Sequence, residues 1–93
     1  MALIVDTGPL YAAMDRSDVD HGRCARLLQE AQEPLVVPAP VAVELDWLAG
    51  RRLRPAPFVE FLADVIDGAV EIADLKRDDY ARVRELLLSY ADL

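Results

Sequence analysis

Cysteine, histidine and tryptophan each occur once in these 93 residues, and acidic residues outnumber basic ones by 17 to 10. Cys24 alone excludes an intrachain disulfide. A single histidine, His21, has no second His or Cys to pair with, which speaks against a zinc site. The formal charge of −7 argues against non-specific binding of a polyanion through the overall field. An acidic nucleic-acid enzyme then needs its carboxylates gathered around metal ions and its basic residues clustered. No basic segment precedes the first apolar run, and that run is too short for a signal peptide or a membrane span, so the expected compartment is the cytoplasm and no membrane partner is expected. Internal repeats and low-complexity tracts are also missing. What is present is a chain 54% apolar and 29% charged, the composition of one small globular domain over residues 1–93.

The most informative stretch is Ala2-Leu3-Ile4-Val5-Asp6-Thr7-Gly8. A short apolar run followed by Asp, Thr and Gly predicts a buried strand with a carboxylate at its C-terminal tip, where open α/β folds bind ligands. Asp6 has four readings. It can cap the helix that begins near Pro9. It can be the catalytic acid of an aspartic protease, for which hydrophobic-Asp-Thr-Gly is the signature. It can be an aspartyl nucleophile of the phosphatase type, but that chemistry needs a second acid two residues on, where Gly8 stands. It can also be a metal ligand of a nuclease.

Further along, Pro9–Met14 predicts a short helix, and Asp18 or Asp20 caps a second one reaching about Gln32, with Cys24, Leu27, Leu28 and Ala31 as its buried stripe. His21, in the first turn of that helix, reads as a surface or capping residue. Leu35-Val36-Val37 is a second strand closed by Pro38. A third helix runs from Val41 to about Leu48, with Val41, Leu45 and Leu48 on its inner face and Gly50 as its stop. Glu44 lies at the edge of that face, either reaching solvent or held for chemistry. Trp47 is expected to cover the core edge or a partner surface. Arg51, Arg52 and Arg54 form the densest basic cluster, suited to phosphate contact or to a solvated helix end. A fourth helix, Phe58–Asp67, buries Phe58, Phe61, Leu62 and Val65 and ends at Gly68. Val70–Ala73 alternates like a third strand, and a last helix opens near Lys76. It carries Tyr80, Val83, Leu86, Leu87 and Tyr90, and the run Leu86-Leu87-Leu88 is wider than one stripe, so a further element or chain is expected to cover it.

Strands alternating with helices predict a parallel sheet with crossover connections, an order that disfavours the hairpin-built protease. In this order, Ile4-Val5-Asp6-Thr7-Gly8-Pro9-Leu10, Asp20-His21, Val36-Val37-Pro38 through Val43-Glu44-Leu45, and Tyr90-Ala91-Asp92-Leu93 resemble the PIN-domain ribonucleases, in particular VapC toxins of bacterial VapBC toxin–antitoxin pairs. The resemblance implies a PIN-like three-layer α/β/α fold around a parallel sheet. It also implies a Mg²⁺-dependent endoribonuclease, with Mn²⁺ as an alternative ion, held inactive by a VapB-type antitoxin and acting as a homodimer on RNA. Asp6 then matches the first metal carboxylate and Glu44 the second, and hard cations do prefer carboxylate oxygens. Arg51, Arg52 and Arg54 are candidates to hold the RNA backbone, without a motif behind them.

Family members continue for about another third of their length, with a helix opening on Asp-Ala and further strands that supply the remaining carboxylates. The C-terminal strands and helix are therefore expected to be missing here, leaving the first strand as a sheet edge, and Asp92 is not assigned as a ligand. Two carboxylates alone are expected to bind Mg²⁺ poorly. The alternative function is a non-catalytic fragment or binding module that engages an antitoxin or another copy of itself.

Overall fold

A computed structural model describes residues 2–89 of the chain. Leu3–Ile4 form β1, Thr7–Met14 α1, His21–Glu30 α2, Leu35–Pro38 β2 and Ala39–Arg52 α3; Ala56–Ile66 form α4, Val70–Ala73 β3 and Arg77–Ser89 α5. Prolines set several helix starts, because a fixed φ and a missing N–H cost nothing in a first turn: Pro40 opens α3 and Pro57 opens α4. The closing Tyr90–Leu93 motif, Asp92 included, lies outside the described residues.

The three strands make a parallel sheet in the order β1-β2-β3. Leu3 pairs with Leu35, and Leu35 pairs in turn with Val70. As expected from the sequence, β1 is an edge, and Ile4 is 71% exposed there. The core gathers Val5, Leu10, Tyr11, Val37, Leu45, Phe61 and Val70, with Val37 and Leu45 fully enclosed. Val37 and Val70 of the strands, Leu10 and Tyr11 of α1, Leu45 of α3 and Phe61 of α4 therefore fix the sheet against its helices.

Several helical expectations need correction. Gly50 does not stop α3, which continues through it to Arg52. A glycine stop needs a left-handed backbone, and among the described residues only Gly68 has positive φ, at 86°. The stop comes instead from Leu53, whose extended backbone still donates its N–H to the Ala49 carbonyl at 2.8 Å, followed by Pro55. The inner stripes are also narrower than expected: Leu27 of α2 and Leu62 of α4 are both exposed, because only one flank of each helix meets the core. α5 is exposed along its described length, and Leu86, Leu87 and Leu88 have no cover among the described residues.

The two glycines predict opposite outcomes. Gly68→Ala is expected to destabilise the fold by about 1 kcal/mol, because a side chain is strained at its backbone conformation. Gly50→Ala is expected to stabilise it by about 0.5–1 kcal/mol, the helix-interior advantage of alanine. At neither position would an added Cβ meet a neighbour within 4 Å, so the backbone alone decides. Urea unfolding of both variants checks the sign; destabilisation by Gly50→Ala would show that α3 ends before Gly50.

Candidate metal and RNA site

Val5 is buried, and its N–H donates to the Val36 carbonyl at 2.9 Å, so the chain leaves the sheet at a fixed point. Asp6 follows with an extended backbone and is the N-cap of α1, its Oδ1 accepting the Thr7 N–H at 2.7 Å. Capping and the placement of a carboxylate at a strand tip are therefore compatible roles of one side chain. Asp6 itself is exposed.

Thr7 is the residue whose importance the sequence conceals. It is only 7% exposed, and its Oγ1 is buried with no hydrogen-bond partner. A buried hydroxyl without a partner costs roughly 1–3 kcal/mol, so it calls for an explanation. Thr7 lines a depression of about 550 Å³ whose wall also includes Gly8, Tyr11, Asp18, Asp20 and Glu44. Asp6 does not itself form part of that wall.

Glu44 reaches the depression because its neighbour Leu45 is locked into the core, which fixes the rotation of α3. Its carboxylate makes no hydrogen bond or ion pair among the described residues. The other two acids of the wall are already engaged: Asp18 accepts the Asp20 N–H at 2.8 Å, and Asp20 pairs with Arg23. Asp20 is the N-cap of α2 by position, without a side-chain capping bond. Among the described residues no group of three His, Cys, Asp or Glu side chains is close enough to hold a metal ion. The structure thus brings Glu44 and Thr7 to one depression and leaves Asp6 just before Thr7 in the chain.

Two further contacts frame the site. His21 Nδ1 lies 2.9 Å from the Ala12 carbonyl, tying the start of α2 to α1. The Tyr11 hydroxyl donates to Asp15 Oδ2 at 2.8 Å. Burial pushes the Tyr11 hydroxyl above its usual pKa, Asp15 adds to the rise, and Arg52 opposes it. Hydrogen bonds from Ser17 and then Tyr11 hold the Asp15 carboxyl below the usual carboxylate value.

The arginines do not share one surface. The Arg51 guanidinium stands over the Trp47 ring, 4.8 Å from its centroid. Arg52 stands over Tyr11 at 5.8 Å, and Arg54 lines a separate depression with Asp46 and Phe58 at the start of α4. Successive helical positions rotate by about 100°, which separates Arg51 from Arg52.

The PIN-domain family model matches residues 3–93. The chain belongs to the PIN-domain family. Among curated relatives, it is 27% identical over 90 residues to "Ribonuclease VapC26" of Mycobacterium tuberculosis (strain ATCC 25618 / H37Rv), covering 97% of this chain and 67% of that protein. Its fold is that of Mycobacterium tuberculosis VapC20, described as a sarcin-ricin loop cleaving toxin, with a TM-score of 0.82 at 22% identity over 97% of this chain and 69% of that one. The PIN fold expected from the sequence is therefore found, and Asp6 stands where its first strand ends. No helix among the described residues is long and apolar enough to cross a membrane.

Proposed function

We propose that this PIN domain is a divalent-metal-dependent endoribonuclease of the VapC toxin type, with Asp6 and Glu44 as metal carboxylates. The observation that carries this reading is the partnerless buried hydroxyl of Thr7, the residue that follows the strand-end carboxylate and lines the same depression as Glu44. A hard cation fits that donor set, since Mg²⁺ and Mn²⁺ take oxygen ligands and Mg²⁺ keeps several waters when few protein ligands are offered. When bound, such an ion supplies Lewis-acid stabilisation of the charge that develops on an RNA phosphodiester.

The chain's own groups prepare that site. The Thr7 N–H fixes one oxygen of Asp6, which limits how the carboxylate can turn. Leu45 holds Glu44 at the depression. The N-terminus of α1 presents the positive end of its dipole toward an approaching phosphate. Arg51, Arg52 and Arg54 are proposed RNA contacts, with Arg51 the best placed because it stands seven residues after Glu44 on the same face of α3. The same reading includes neutralisation by a VapB-type antitoxin, a homodimeric active form and a cytoplasmic site of action.

A second reading is supported by the exposed α5 leucines and by β1 as an edge of the sheet among the described residues: a non-catalytic module that binds an antitoxin or its own copy. Cleavage of a labelled mixed RNA pool in Mg²⁺, in EDTA, and with Asp6→Asn separates the two. The nuclease reading expects cleavage that is lost in both controls; an intact pool in Mg²⁺ leaves the binding module.

A further inference from the structure

Trp47 is the chain's one tryptophan, and it is 58% exposed although Leu45 and Ala49 of the same helix are enclosed. The guanidinium of Arg51 stands over the indole, which nonetheless remains exposed. Glu44, Trp47 and Arg51 stand at i, i+3 and i+7 of α3, which places them along one face. The helical rise puts Trp47 about 4.5 Å and Arg51 about 10 Å along the axis from Glu44.

We propose that Trp47 and Arg51 form a contact station for single-stranded RNA beside the Glu44 carboxylate, the indole stacking on a base and the guanidinium meeting the adjoining phosphate. The choice of RNA as occupant rests on the nuclease reading above. Local complementarity selects it: the exposed indole offers a base a stacking surface, and the Arg51 guanidinium beside it, with no carboxylate partner among the described residues, offers its charge to a phosphate. Cation–π contact also holds Arg51 in place without consuming its N–H donors. An indole stacks on any base, so this station adds affinity and orientation rather than sequence choice. Val43, one turn earlier and 71% exposed, gives the face an apolar neighbour, so a protein surface is the competing occupant.

Because Trp47 is the single tryptophan, its fluorescence reports on this face directly. The experiment titrates the full chain, in EDTA to prevent cleavage, with a single-stranded mixed-sequence RNA oligonucleotide and with the same sequence as a duplex. Saturable quenching by the single strand but not the duplex is expected. Fluorescence polarisation of labelled oligonucleotide should show binding weakened about tenfold in Trp47→Ala, the stacking contribution of one base. Trp47→Phe should recover part of that loss, and Arg51→Ala should flatten the salt dependence. Unchanged fluorescence with RNA, equal binding by Trp47→Ala, or a spectrum that shifts with protein concentration alone would overturn the station, the last by showing a protein surface over Trp47. Quenching without cleavage by the Mg²⁺ assay keeps the station and sinks the nuclease; cleavage without quenching does the reverse.

Discussion

Glu44→Gln is expected to lower metal-dependent RNA cleavage by roughly two to three orders of magnitude, the loss typical of removing one group that stabilises transition-state charge. The urea midpoint should stay where it is. The carboxylate is exposed and has no partner among the described residues, so neutralising it removes nothing from the fold. Thr7→Val sharpens the test, because it keeps the shape and deletes the orphaned hydroxyl. If that hydroxyl waits for a cation, Thr7→Val leaves stability equal or higher while weakening Mn²⁺ binding measured by calorimetry. A Glu44→Gln chain that cleaves at the parent rate would remove Glu44 from the site. A Thr7→Val chain with parental Mn²⁺ affinity would make the orphaned hydroxyl a cost of packing only.

Leu45→Ala is expected to cost about 2–5 kcal/mol, a large share of the roughly 5–15 kcal/mol that holds a domain folded. Leu45 is 0% exposed and belongs to the same core cluster as Val37 and Phe61, so the vacated volume has enclosed side chains around it. Leu62→Ala on α4, 43% exposed, should cost under about 1 kcal/mol as a control. Thermal and urea unfolding of both variants checks the contrast. Equal losses would mean that α3 is not anchored through Leu45. The same variant bears on function, since the rotation of α3 that presents Glu44 depends on that anchor.

These residues also show what a sequence can and cannot tell. β2 and β3 were readable because short apolar runs sit between prolines or a glycine and charged chain; β3 spans Val70–Ala73 as read, and β2 runs one residue further than read, through Pro38. Asp6 was readable as a strand-end acid for the same reason. Gly50 misled because glycine ends helices only through a backbone conformation it does not adopt here. Leu27 and Leu62 misled because periodicity marks an apolar flank without showing whether anything packs on it. The arginine cluster is dense in the chain but divided in space, since helix rotation sends Arg51 to Trp47 and Arg52 to Tyr11. Thr7 gave no signal beyond its place after Asp6, as burial without a hydrogen-bond partner exists only in three dimensions.

The strand order β1-β2-β3 is also the order of the chain. During synthesis each of these three strands therefore docks outside the one before it. The β1–β2 pair can close once Pro38 has left the ribosome, yet Leu45 and Phe61, which complete its core, arrive later. Until then Val37, destined to be fully enclosed, faces water or a chaperone. The nascent chain thus exposes a core side chain between the emergence of β2 and that of α4, and the acidic character of the whole sequence helps keep growing chains apart through that interval.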